Sequence, residues 1–273
     1  MRLMERSIRI FVTAGLLAAS APLAAQRGEA PVITHLPAEV IALACAPTLL
    51  FETASPSLLI TGGQDSFTRH AYAPGDLITI NGGSDNGIEV GQEYFVRRVQ
   101  PARDARVSRA NPASVRTAGW VRVYAVDKTM SLVTVANACG DTLNVGDYLE
   151  PYVEPQVPVA DANPPKPQRE NYGHIMLGAD RRTIFAQDDF FVIDRGSDHG
   201  VTLGERVTIY RDKRKLEQAN KSSENRLPKG VVPEFLYDLG EAVVVEVKPE
   251  MSTLKVTLSR DAMLTGDYVA LRK

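Results

Sequence analysis

Residues 189–211 read DFFVIDRGSDHGVTLGERVTIYR, and residues 76–98 read DLITINGGSDNGIEVGQEYFVRR. Aligned without gaps, 8 of these 23 positions are identical: Asp76/Asp189, Ile80/Ile193, Gly83/Gly196, Ser84/Ser197, Asp85/Asp198, Gly87/Gly200, Gly91/Gly204 and Arg98/Arg211. An apolar run opens each stretch, a Gly-Ser-Asp-x-Gly element interrupts it, and a second apolar run follows the next Gly. Short β-branched and aromatic runs bounded by Gly and Asp are the signature of strands joined by tight turns.

The match extends in both directions. Residues 119–136 align with 240–257, and the copies close alike on Gly146-Asp147-Tyr148 and Gly266-Asp267-Tyr268. Upstream, Gly63-Gln64-Asp65 pairs with Gly178-Ala179-Asp180 in a looser register. A unit of about a hundred residues occurring twice is a tandem duplication, since a solenoid needs at least three short units. Short β-rich runs, with period-2 alternation over Trp120–Tyr124, predict about six strands per copy, over 57–61, 77–81, 93–98, 119–126, 131–136 and 147–151, then 174–177, 190–194, 206–211, 240–247, 252–258 and 267–271. Many short strands with Gly punctuation predict an all-β protein of two tandem small β-barrels, because closure removes exposed sheet edges.

The predicted organisation is a leader at 1–25, an N-terminal extension at 26–56, a first barrel at 57–152, a Pro-rich linker at 153–171 and a second barrel at 172–273. The leader combines Arg2, Arg6 and Arg9 with an apolar run from Ile10 to Leu17 and small residues ending at Ala25. That layout is a secretory signal, too short to stay as a membrane span, and it predicts a periplasmic or secreted product. Cys45 and Cys139 are the two cysteines, and an exported chain with two thiols predicts one disulfide. The linker holds five Pro between 155 and 167, a composition that favours extended polyproline II. Polar inserts at 99–117 and 212–238 fall between strands three and four of each copy and are expected to be mobile.

The chain of 273 residues has 31 Lys+Arg against 33 Asp+Glu. Losing Arg2, Arg6, Arg9 and Glu5 with the leader leaves a formal charge of about −4, which offers nothing to nucleic acid. In the Gly-Ser-Asp-x-Gly elements, Ser lacks the flanking glycines of a nucleophile elbow. Turn chemistry explains every residue type: Asp bonds to nearby backbone N–H groups, and Gly supplies positive φ. Gly83, Ser84, Asp85, Gly87, Gly196, Ser197, Asp198 and Gly200 are therefore read as structural turns. Asp188, Asp189, Asp194 and Asp198 lack the EF-hand ligand order, Arg195 intervenes, and His35, His70, His174 and His199 show no zinc spacing. No catalytic, cofactor or metal residue is assigned. Trp120, Tyr124, Tyr148 and Tyr268 could bind glycan, but aromatics on strands are expected in the core.

The pattern D-x-x-x-I-x-x-G-S-D-x-G-x-x-x-G, followed by a Gly-led Val-rich strand, a Met-Ser turn and a closing Gly-Asp-Tyr, resembles small β-barrel modules of bacterial envelope proteins. It is most similar to the C-terminal domain of the flagellar assembly protein T family and to barrels found beside peptidoglycan-binding LysM domains. Rod-shape-determining protein C barrels share its glycine spacing. The resemblance covers roughly 57–152 and 174–272. It implies a non-enzymatic envelope protein whose partner is another envelope protein or a peptidoglycan component. The competing readings are a periplasmic glycan hydrolase and a calcium- or ligand-sensing module.

Overall fold

The structure is a computed structural model that describes residues 36–50, 57–64, 69–101, 113–164, 166, 172–178, 182–212 and 236–271. The predicted leader lies outside the described residues. The first copy is preceded by a helix, α1 (Ala38–Ala44), and a strand, β1 (Thr48–Leu50). It then runs through β2 (Ile60–Gly63), β3 (Ala71–Tyr72), β4 (Leu77–Ile80), β5 (Glu93–Pro101), β6 (Ala113–Val126), β7 (Ser131–Ala138), β8 (Leu143–Asn144) and β9 (Tyr148–Pro151). The second comprises β10 (Tyr172–Gly178), β11 (Ile184–Phe185), β12 (Phe190–Ile193), β13 (Arg206–Asp212), β14 (Leu236–Val247), β15 (Ser252–Ser259), β16 (Met263–Leu264) and β17 (Tyr268–Ala270).

Strands β10-β12-β15-β14-β13-β17 form a closed antiparallel barrel. The first copy repeats this order as β2-β4-β7-β6-β5-β9, but its sheet curls without closing over a full ladder. Its end strands meet at the single bridge Leu59↔Tyr148, beside Ile60 N–H donating to Asp147 O and Leu149 N–H donating to Leu58 O. In the second copy the same seam is a three-residue ladder, from Tyr172↔Ala270 to His174↔Tyr268. Small ladders β3–β8 and β11–β16 recur at corresponding places.

All twelve expected strands overlap observed ones. The expected inserts are shorter than the sequence implies, because β5 runs to Pro101, β6 starts at Ala113, and β14 starts at Leu236. Those stretches look like loop because they are polar, yet they pair with each other along an extended hairpin. Arg116 on this hairpin lies 3.1 Å from Asp141. Residues 102–112 and 213–235 lie outside the described residues, and residues 153–164 carry no helix or strand.

Alternation fills each interior. Ile78, Ile80, Val96, Val121, Val123, Val133 and Val135 form the first core. Phe191, Ile193, Val207, Ile209, Ala242, Val244, Leu254 and Val256 form the second. Each copy lets one aromatic ring close against a glycine: a Cβ on Gly63 would lie 2.6 Å from the Tyr72 ring, and one on Gly178 would lie 2.1 Å from Phe185.

The final Asp of each copy is held by an Arg that both copies share. Arg98 donates Nε to Asp147 Oδ1 and Nη2 to Asp147 Oδ2, both at 2.7 Å. Arg211 donates Nε to Asp267 Oδ1 at 2.9 Å and Nη2 to Asp267 Oδ2 at 2.7 Å. The same carboxylates accept backbone N–H from Asn144 and Leu264, three residues back. Each pair therefore ties the third large strand to the turn that launches the last. A two-pronged guanidinium–carboxylate contact fixes geometry as well as charge. Arg211 and Asp267 are both buried. Arg211→Met strands that carboxylate and is expected to cost about 3 kcal/mol in urea unfolding, with Arg211→Lys losing less.

Candidate functional site

The duplicated Gly-Ser-Asp-x-Gly elements are the obvious place to look for function, and the fold explains most of their residues. Ser84–Asn86 and Ser197–His199 each make one turn of 3₁₀ helix. Ser84 N–H donates to Asp127 O at 2.9 Å and Asp85 N–H to Lys128 O at 3.0 Å. In the second copy Ser197 N–H donates to Lys248 O at 2.9 Å and Asp198 N–H to Pro249 O at 3.0 Å. The turn thus docks backbone to backbone on the β6–β7 or β14–β15 hairpin, which carries Met130-Ser131 or Met251-Ser252.

That docking dictates the glycines. Gly83 and Gly196 have negative φ, near −138°. They are required by proximity, since a Cβ would sit 2.2 Å from Asp127 O or 2.0 Å from Lys248 O. Gly87 and Gly200 end the turn at φ +75° and +83°, the left-handed region that favours glycine. Ile88 and Val201, one residue on, are buried in the two cores.

One expectation is corrected here. The side chain that caps the turn is not that of Asp85 or Asp198. Asn86 Oδ1 accepts from Gly83 N–H, and His199 Nδ1 accepts from Gly196 N–H, both at 3.2 Å. In a 3₁₀ turn side chains three residues apart are eclipsed, so the variable position lies over the first glycine. Ser84, Asp85, Ser197 and Asp198 are exposed. Five residues beyond each Asp, Val90 is 38% exposed and Leu203, at the equivalent position, 56%. An exposed polar pair, followed five residues on by an exposed aliphatic residue, is common to both copies.

The other singled-out residues are distributed through the framework. Asp76 accepts from Ala73 N–H and pairs with Arg69, while Asp189 accepts from Ala186 N–H and pairs with Arg182. Asp188 pairs with Lys255 at 3.2 Å. No group of three or more His, Cys, Asp or Glu gathers to hold a metal ion among the described residues. Trp120, Tyr148 and Tyr268 are buried, and Tyr124 is half-buried. Trp120 packs with Phe95 and Ala44 under α1, where Cys45 and Cys139 form a disulfide. His70 is exposed, and His35 lies outside the described residues.

Sequence reading did not foresee the second-copy pair His174–Asp194. Asp194 Oδ1 accepts His174 N–H at 2.6 Å, as Asn81 Oδ1 accepts Leu59 N–H at 2.6 Å in the first copy. The second copy adds the His174 ring, with Nδ1 3.2 Å from Asp194 Oδ2 and its centroid 5.0 Å from that of Tyr268. Burial pushes the Asp194 carboxyl up, but the His174 bonds and the Arg195 charge outweigh it and hold the group below 3.8. The alignment of Asn81 with Asp194 was the available signal, because it marks a neutral seam residue replaced by a titratable one.

Protein-family models give no match to this chain, and curated proteins give none either.

Two expectations follow from this geometry. Gly196→Ala drives a methyl group into a carbonyl and is expected to cost about 3 kcal/mol, whereas Gly200→Ala, with open space around it, costs about 1 by chemical denaturation. A carboxyl with a lowered folded-state pKa contributes stability above its unfolded pKa, and that contribution is lost as pH falls through the lowered value. Asp194→Asn keeps the backbone bond and removes the titration. Its stability–pH curve is therefore expected to be flatter than that of the wild type from about pH 4 downwards, read by thermal melts.

Proposed function

We propose that this chain is an exported, non-enzymatic binding or scaffolding protein of the bacterial cell envelope. In this reading the first copy is a barrel of the same kind as the second, and the Pro-rich segment joins them. The partner is an envelope protein or a peptidoglycan component. The observation that carries the reading is the duplicated exposure of identical polar residues, Ser84-Asp85 and Ser197-Asp198, with Val90 and Leu203 exposed at equivalent positions further along the chain. The turn backbones serve the fold, which leaves these side chains free to meet a partner. Two like faces on one chain raise avidity through effective concentration.

The Cys45–Cys139 disulfide supports an oxidising compartment, as the leader does. The likeness of the repeat to flagellar assembly protein T and LysM-associated barrels supports an envelope setting. Recovery of partners from envelope extracts tests the reading. Ser84→Ala/Asp85→Ala and Ser197→Ala/Asp198→Ala are each expected to weaken capture, and the combined variant to abolish it. Undiminished capture by the combined variant, with wild-type circular dichroism, would discard this surface as the binding face.

A further inference from the structure

The closed barrel is covered on part of its outside. Phe191, Ile193 and Leu254 point inward, so Val192 on β12 faces out, yet Val192 is 0% exposed. With Leu177 and Met251 it forms a separate buried cluster, and Thr253 is buried beside it. Pro47, itself buried, lies over this face and accepts the Thr253 hydroxyl at its carbonyl oxygen, 3.1 Å away. Next to it, Lys248 Nζ donates to Thr48 Oγ1 at 2.6 Å.

The matching face of the first copy carries Gly62 for Leu177, Thr79 for Val192 and Met130 for Met251. Met130 is 45% exposed, against 4% for Met251. The two copies thus diverge where one of them is covered. Gly62 and Thr79 on the open face stand where Leu177 and Val192 fill the covered one, and Leu132, paired with Thr79, stands where the covered face has Thr253, whose hydroxyl meets Pro47.

The segment lying on the second copy is fastened to the first. Cys45 is bonded to Cys139 at the end of β7, Thr48–Leu50 pairs with Ala113–Val115 of β6, and Ala44 packs against Phe95 and Trp120. Without the disulfide the fastening is a seven-residue helix and a three-residue strand, lengths that do not hold their shape alone.

We propose that Cys45–Thr48 is a clamp that holds the second copy against the first, and that the Cys45–Cys139 disulfide keeps it shut. A dithiol reductant opens it: two electrons and two protons convert the bridge to two thiols, and the reductant closes to its own disulfide. The two copies then stay folded but separate, and the outer face around Val192 and Met251 meets water.

Methionine oxidation by peroxide reads this directly on the full chain. Met130 is the exposed reference, Met251 the reporter and Met263, fully buried inside the second barrel, the sentinel for unfolding. The protein is reduced, alkylated and freed of reductant before peroxide is added. Met251 is expected to lose its protection and approach the Met130 rate, while Met263 stays protected and the maximum dimension by solution scattering rises. Thr253→Val/Lys248→Ala, with the disulfide intact, is expected to expose Met251 in the same way without any redox change. Met251 still protected in fully reduced protein overturns the clamp. Met251 and Met263 exposed together also overturn it, because the disulfide would then hold the barrel itself.

Discussion

Everything in this fold is arranged around a contact made chiefly between backbone groups. In each copy the backbone of a short 3₁₀ turn lies against the carbonyls of the hairpin opposite, close enough that only glycine fits at 83 and 196. The contact closes one end of the sheet. It points Ile88 and Val201 into the core and sets the register of the strand that follows. Hydrogen bonds between buried backbone groups are costly to leave unmade. The sequence around this contact is correspondingly constrained: Gly83, Ser84, Asp85 and Gly87 of the turn and Met130 and Ser131 of the hairpin recur unchanged in the second copy, as do both partners of the ion pair that locks the last strand.

Much of this was legible from residues alone. β-branched and aromatic runs at Phe190–Ile193 and Ala242–Val247 and period-2 alternation over Trp120–Tyr124 mark strands, and the repeat marks the equivalence of two sheets. Three things were not legible. The capping role of Asn86 and His199 escaped notice because it falls on the one variable position of the element, and depends on the three-residue spacing of a 3₁₀ turn. Helix α1 is a single short element with no partner in the repeat, so neither periodicity nor alignment reveals it. The polar ends of β5, β6 and β14 are strands by virtue of pairing with each other, a tertiary effect that local composition does not record.

The two copies are a natural experiment in divergence on one framework. Where backbone geometry decides, they agree: the glycine turn, the Arg–Asp fork, and the carboxylate or amide that accepts the first N–H of the seam. Where neighbours decide, they part. Thr79 and Gly62 became Val192 and Leu177 on the face that meets Pro47, or the reverse, and Asn81 stands opposite an Asp194 that has acquired a histidine. The candidate surface at Ser84-Asp85 and Ser197-Asp198 belongs to the first group by identity and to the second by exposure. That combination makes it worth testing.

The seam pairing has a further consequence. Because β10 lies beside β17, the chain enters and leaves the second barrel at neighbouring points on its wall. The bridge between Leu59 and Tyr148 gives the first sheet the same layout. A module whose ends emerge together can be strung in series, excised or spliced into a host loop without threading through its neighbours. The ancestral gene could therefore double with little topological penalty, and a third copy would face no new obstacle.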